Sequence, residues 1–149
     1  MAIVTSVNIS EKKGIRKHGM ESIRLVAGHG IDGDAHAGNW HRQISMLAEE
    51  SIDKMRDLGL HGLTPGAFAE NINTRGIDLK SLPVGTKLSI GDALVEVTQI
   101  GKQCHDDGCP IQKATGQCVM PTEGIFVIVL KDGVIKKDDS IMIQEDRSL

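Results

Sequence analysis

Short alternations of apolar and polar residues, separated by turn signals, run through most of this chain. The clearest pair covers residues 84–90 and 93–100, on either side of Gly91-Asp92, a dipeptide typical of a tight β-hairpin. Alternation with a period of two puts apolar side chains on one face of a strand, and that face must be buried. Segments of this kind constrain the chain to pair its strands into a sheet or a barrel.

The rest of the chain extends this pattern with few helical signals. Further strands are predicted at residues 2–9, 22–27, 44–47, within 66–74, at 124–130 and at 134–143, and a short helix at 49–58. The run at 124–130 predicts a strand buried on both faces, and Asp132-Gly133 predicts a turn into the next strand. The basic link at 11–20 predicts an exposed hairpin or loop with solvated lysines.

These segments together predict a mostly β fold, a closed or nearly closed β-barrel with one or two short helices. A β-sandwich is the alternative. No linker or change of composition divides the chain, so we expect a single domain over residues 1–149, with its core at about 3–143 and a loose tail at 144–149.

Composition limits which residues can form the core and which classes of function are expected. Only 2% of residues are aromatic, so Val, Ile, Leu and Met have to supply nearly all the packing. The 17 basic and 20 acidic residues are scattered, which predicts no nucleic-acid partner. The amino terminus has no signal-peptide pattern and no apolar run reaches a membrane-spanning length, so we expect a cytoplasmic protein with no membrane partner.

The densest group of potentially reactive side chains lies at residues 101–121, which contain Cys104, Cys109, Cys118 and His105. An odd number of cysteines in a chain without an export signal argues against a disulfide framework. A thiolate here could bind a soft metal or carry sulfur as a persulfide, and a nearby Lys102, His105 or Arg42 would lower its pKa from roughly 8.5. The alternatives are a buried, inert cysteine and a zinc-stabilised interaction module, although the spacing is not that of common zinc modules.

Two polar stretches could flank such a thiol. Residues 28–42 are rich in glycine but lack the Gly-Lys-Ser/Thr ending and the following helix of a phosphate loop. Their turns would bring backbone close to a ligand or to another strand, with His36 and Arg42 at the edge. Arg42 could grip an anion bidentately or form an ordinary salt bridge. Glu70-Asn71 lies between apolar residues, so at least one side chain should point inward, to order the loop or to hold a ligand.

Motifs in a fixed order resemble the MOSC family, which is related to the carboxyl-terminal domain of molybdenum cofactor sulfurases. The motifs are GIDGDAHAG-x2-HRQ, PGAFAEN, VG-x-x-L-x-IGDA, IGKQCH and MPTEGIF. The match covers residues 3–143, so it does not depend on one short signature. The resemblance is to short, stand-alone bacterial members and implies the β-barrel that the family shares.

The resemblance also implies a site. Cys104 is similar to the family's functional cysteine, which ligates molybdenum or carries sulfur destined for it, so we assign it the catalytic and metal-binding role. His36, Arg42, Glu70, Asn71 and Lys102 would bind the molybdenum cofactor beside Cys104. Molybdopterin is polyanionic, and cationic side chains would complement it.

The resemblance leaves the activity itself open. Sulfurases carry a separate pyridoxal-phosphate domain that does not fit in this chain, so complete sulfurase activity is not expected. The leading hypothesis is a domain that binds molybdenum cofactor or carries its sulfur, with cofactor-biosynthesis proteins or a cysteine desulfurase as partners. The alternatives are a molybdenum-dependent reductase of N-hydroxylated compounds that uses a separate electron donor, and the zinc-stabilised module.

Overall fold

The computed structural model describes residues 2–12, 17–57, 70–100 and 124–144, and these are built mainly from strands. The strands are β1 Ala2–Ile9, β2 His18–Met20, β3 Ser22–Val26, β4 Gly30–Ile31, β5 Ile44–Ala48, β6 Ile72–Arg75, β7 Lys87–Ile90, β8 Ala93–Ile100, β9 Ile125–Lys131, β10 Gly133–Lys136 and β11 Ser140–Gln144. The helix α1 is Glu49–Asp57, and a 3-10 turn covers Leu79–Ser81. Nearly all of the predicted tail lies outside the described residues.

Strands of the larger sheet close into a barrel in the order β11-β7-β8-β9-β5-β6-β1. Pairing of β1 with β11, with Ala2 opposite Ile141, completes the circle, and β2 extends one edge of β1. Neighbouring strands are antiparallel except β5 and β6, where Met46 lies opposite Ile72. A parallel pair needs a crossover, and here the crossover contains α1. The prediction of a closed, mostly β barrel is confirmed.

Aliphatic side chains fill the barrel, as the scarcity of aromatic residues predicted. Strands β1, β5, β8 and β9 supply most of the buried residues, because their apolar side chains face inward. The fully buried residues of the barrel, including two from β7, are among others Val4, Ile44, Met46, Leu88, Ile90, Val95, Val97, Ile125 and Val127. In β9 the first three residues are buried, whereas Ile128 and Leu130 are partly exposed, so burial on both faces holds only for its first half.

The predicted turn at Asp132-Gly133 leads into a new strand, β10, but the single strand predicted at residues 134–143 is divided in two. After the turn, β10 pairs with β3 in a second sheet, with Gly133 opposite Leu25, and β3 also pairs with β4. The backbone at Gly133 passes so close to β8 that an added Cβ would lie 2.6 Å from the Ala93 nitrogen. That passage carries the chain away from β9, and a turn at Asp138, with φ 77°, then separates β10 from β11.

The link after β1 is partly as predicted. It forms a hairpin, in which Val7 of β1 lies opposite Met20 of β2. The prediction of solvated lysines is wrong for Lys17, which is 2% exposed, because a buried carboxylate pairs with it. No helix in the described ranges is long and apolar enough to cross a membrane.

Candidate functional site

A row of neighbouring residues runs across successive strands of the barrel wall, and we call this row the loop rim. In β8 and β9, Gln99 lies opposite Phe126, and Phe126 in turn lies opposite Ser45 of β5. The Asn71 amide donates to the Ser45 carbonyl at 3.0 Å, and the Asn8 amide donates to the Asn71 carbonyl at 2.7 Å. The loop rim comprises these five residues. Because β9 and β5 are antiparallel, β8 ends and β9 begins toward one end of the barrel, whereas β1 ends and β5 and β6 begin toward the other.

The connections that carry the predicted site residues reach the loop rim from the two ends of the barrel. The segment 32–43 leads into β5 and contains His36 and Arg42, while Glu70-Asn71 precedes β6. Residues 101–123 leave the barrel after β8 and rejoin it before β9, so they both begin and end at this rim. Cys104 and Lys102 belong to that segment and lie outside the described residues, as do Cys109 and Cys118.

Arg42 lies over the outer edge of the rim. Its Nε donates to Gln99 Oε1 at 3.0 Å, and its guanidinium carbon lies 5.2 Å from the centre of the Phe126 ring. His41 Nε2 contacts the same Gln99 oxygen at 3.0 Å. Among the described residues no carboxylate forms an ion pair with Arg42. The salt-bridge alternative raised by its residue type therefore has no partner in that part of the chain.

His36 belongs to a buried ionic cluster at the end of β1. Lys17 Nζ lies 2.7 Å from Asp34 Oδ1, 3.0 Å from His36 Nδ1 and 3.3 Å from Ser10 Oγ. Both the Lys17 and the Asp34 side chains are buried, whereas His36 is about one-third exposed. The cluster fastens the 32–43 segment to the end of β1 and leaves one side of His36 toward the surface.

Sequence reasoning missed Lys17 and Asp34. The two residues are 17 positions apart, and no local pattern links them. An aspartate two residues before a histidine in a glycine-rich loop was the available signal, and it did not identify the cationic partner. Gln99 was missed as well, because a glutamine at the end of an alternating strand is typical of a solvent-facing position.

Glu70 and Asn71 are both fully buried, so the prediction that at least one points inward is confirmed. Asn71 Oδ1 accepts from the Ser45 amide at 3.0 Å, and Asn71 Nδ2 donates to the Asn8 carbonyl at 3.1 Å. Glu70 Oε2 accepts from Asn73 Nδ2 at 2.8 Å. These bonds join β1, β5 and β6 beneath the rim, and a contact of either residue with a cofactor stays a prediction.

Within the described ranges, no group of three or more His, Cys, Asp or Glu side chains is arranged to hold a metal ion. The zinc set suggested by the sequence, Cys104, Cys109, Cys118 and His105, lies outside those ranges. Zinc binding therefore stays a prediction.

The family model of the MOSC domain matches residues 32–142, which include the 32–43 segment and all of β5 to β10. The chain belongs to the MOSC family. The predicted resemblance is thereby confirmed, and membership gives the chain a molybdenum cofactor-related function at the level of the family. No curated protein matches the chain.

Solved structures of MOSC-type proteins have the same fold. The YuaD protein of Bacillus subtilis is similar with a TM-score of 0.76 and 22% identity, covering 95% of this chain and 94% of that one. YiiM of Geobacillus stearothermophilus is similar with a TM-score of 0.72 and 20% identity, over 97% of this chain and 76% of that one. YiiM of Escherichia coli has a TM-score of 0.67 and 19% identity, over 100% and 72%.

Proposed function

We propose that this MOSC domain binds the molybdenum cofactor or its precursor at the loop rim and handles its metal or sulfur through Cys104. The observation that carries the proposal is Arg42 itself. Its cation lies beside Gln99, at the end of the strand from which the cysteine-bearing segment departs. A cation and a thiol would then both lie near the end of β8.

The residues at this rim fit the cofactor by their chemistry. Molybdopterin is anionic through its phosphate and its dithiolene, and a guanidinium without an acidic partner among the described residues complements such a group. The His41 side chain is exposed beside Arg42, and the exposed side of His36 adds a polar group along the same segment. Arg42, His41 and the exposed side of His36 thus supply the contacts of this segment for an anionic ligand, beside the exposed Asp32.

Chain geometry allows Cys104 to reach the same ligand. It follows Ile100 by four residues, so its Cα can lie no more than about 14 Å from that of Ile100. A thiolate is a good ligand for a soft, sulfur-rich metal centre, which the cofactor supplies when bound. Arg42 and His41 would hold the anionic end of the ligand, and Cys104 would meet its metal or sulfur end.

Retention of molybdenum tests the binding part of the proposal. The wild type, Cys104→Ser, Cys109→Ser and Cys118→Ser are each incubated with purified molybdenum cofactor, and molybdenum is measured after gel filtration. We expect molybdenum to stay with the wild type and the two control variants and to be lost from Cys104→Ser. Equal retention by Cys104→Ser and the wild type would refute ligation by this sulfur.

Mass spectrometry tests sulfur transfer separately. In the expected step, the Cys104 thiolate attacks the outer sulfur of a persulfide on a cysteine desulfurase. The S–S bond of that persulfide breaks, a new S–S bond forms on Cys104, and the desulfurase thiolate leaves. A mass gain of one sulfur atom on the Cys104 peptide supports a carrier. If the mass does not increase but molybdenum is still retained, Cys104 is a metal ligand and not a sulfur carrier.

A further inference from the structure

The carboxyl end of β8 fastens two consecutive residues of the 32–43 segment. Gln99 Oε1 accepts from Arg42 Nε and from His41 Nε2, each at 3.0 Å. The Thr98 hydroxyl donates to the His41 carbonyl oxygen. Since Arg42 Nε can only donate, the Gln99 atom that faces it must be the amide oxygen. His41 must therefore carry a proton on Nε2 as well.

An irregularity in β8 makes this double attachment possible. Val97 lies opposite Val127 and Gln99 opposite Phe126, so Thr98 is an extra residue between two consecutive residues of β9. In a regular strand, neighbouring side chains point to opposite faces. A bulge re-aims them, and here both Thr98 and Gln99 reach the same dipeptide.

We propose that Gln99 is a positioning residue that holds the Arg42 guanidinium as a binding site for a phosphate group. The inference rests on the proposed function and names the anionic group that this part of the rim receives. Gln99 occupies the Nε edge of the Arg42 guanidinium, and Phe126 covers one of its faces. The edge with the two terminal amino groups has no hydrogen-bond partner in the described part of the chain, and that edge suits a bidentate phosphate contact.

A neutral amide matters at this position. Glutamine orients the guanidinium and the imidazole without cancelling the charge of the guanidinium, whereas a carboxylate would form an ion pair with it. Glu is nearly the same size as Gln and can accept the same two hydrogen bonds. Gln99→Glu therefore separates the geometry of the site from its charge.

Titration of the cofactor-free protein with pyrophosphate, followed by NMR of the Arg42 Nε–Hε and His41 imidazole signals, tests the inference. We expect saturable shifts in the wild type. Gln99→Glu should keep a resolved Arg42 Nε–Hε signal but bind pyrophosphate at least about tenfold more weakly, because the phosphate loses a charge-assisted contact. Gln144→Glu adds the same charge on exposed β11 and should bind like the wild type.

Equal affinity of Gln99→Glu and the wild type would overturn the inference. If Gln99→Glu does not fold, Arg42→Lys replaces it, with Arg24→Lys at an exposed position of β3 as its control. Arg42→Lys keeps the charge and loses the planar fork, so weaker binding than in Arg24→Lys is expected, and unchanged binding contradicts the proposal. The assay contains no molybdenum, so its failure is distinguishable from a failure of Cys104 to retain the metal.

Discussion

Lys17 Nζ lies 3.0 Å from His36 Nδ1, in a cluster that also places it 2.7 Å from Asp34 Oδ1. An ammonium group has donors only, so the imidazole nitrogen that faces it must be the acceptor. The proton of a neutral His36 is then on Nε2. A buried lysine thus determines which edge of His36 carries the donor.

Lys17→Met should change both the tautomer of His36 and the stability of the fold. Without the ammonium, His36 should become a mixture of tautomers, which the nitrogen chemical shifts of its ring report. Asp34 would be left buried without its cation. We expect this to lower the free energy of unfolding, measured by urea denaturation, by about 3–5 kcal/mol.

Lys12→Met is the matched control, because Lys12 is exposed. It should alter stability by less than about 0.5 kcal/mol and leave the His36 shifts in place. Unchanged His36 shifts in Lys17→Met would contradict the assigned hydrogen bond.

The difference between the predicted and observed roles of Lys17 shows where sequence reasoning reaches its limit. The β1–β2 and β7–β8 hairpins could be predicted, because alternation and turn residues act over a few neighbouring positions. Burial of Lys17 depends on Asp34, which is distant in sequence. The turn at Asp132-Gly133 could be predicted from local residues, but the pairing of β10 with β3, which is distant in sequence, could not.

In the candidate site, too, some residues could be predicted from the sequence and others could not. Burial of at least one of Glu70 and Asn71 followed from their apolar neighbours, and the polar character of residues 28–42 was evident from composition. Gln99 could not be predicted, because its contacts depend on the bulge at Thr98, and that extra residue is visible only when β8 is aligned with β9.

Gly30→Ala should destabilise the protein far more than Gly28→Ala. Both glycines have positive φ, 121° and 72°. An added Cβ at Gly30 would lie 3.1 Å from the Gln43 carbonyl oxygen, whereas nothing lies within 4 Å of one at Gly28. We expect a loss of about 1–2 kcal/mol for Gly28→Ala and about 3 kcal/mol or more for Gly30→Ala.

Thermal or urea unfolding of the two variants measures the difference. Equal losses would show that the space around Gly30 can relax without cost. Because Gln43 Oε1 also accepts from the Val129 amide at 2.9 Å, a displaced Gln43 should additionally speed hydrogen exchange at Val129 in Gly30→Ala only.

The carboxylate of Asp53 should give a small stabilisation that depends on pH. Hydrogen bonding from Arg56, at 2.7 Å, lowers the Asp53 pKa, and Arg75 at 3.3 Å acts in the same direction. A lowered folded pKa stabilises the fold above the unfolded pKa of roughly 3.9, and the effect disappears as the pH falls through the folded value.

Asp53→Asn should therefore be less stable than the wild type at neutral pH, by no more than about 1 kcal/mol since the pair is exposed. The free energies of unfolding of the two proteins, measured by urea denaturation, should converge as the pH falls below the folded pKa of Asp53. A difference that persists in acid would mean that the side chain stabilises the fold by another route. NMR titration of Arg56→Met should show the Asp53 pKa moving up toward its ordinary value.

Asn71→Ala tests the bonds that join the strands beneath the loop rim. Asn71 Oδ1 accepts from the backbone amide and the hydroxyl of Ser45, at 3.0 and 3.2 Å, and Nδ2 donates to the Asn8 carbonyl at 3.1 Å. Alanine leaves these buried groups without their partner, at a cost of about 2–4 kcal/mol. Asn39→Ala, at an exposed position, should stay within about 0.5 kcal/mol of the wild type. If Asn71→Ala also stays within that range, the described hydrogen bonds do not hold β1, β5 and β6 together.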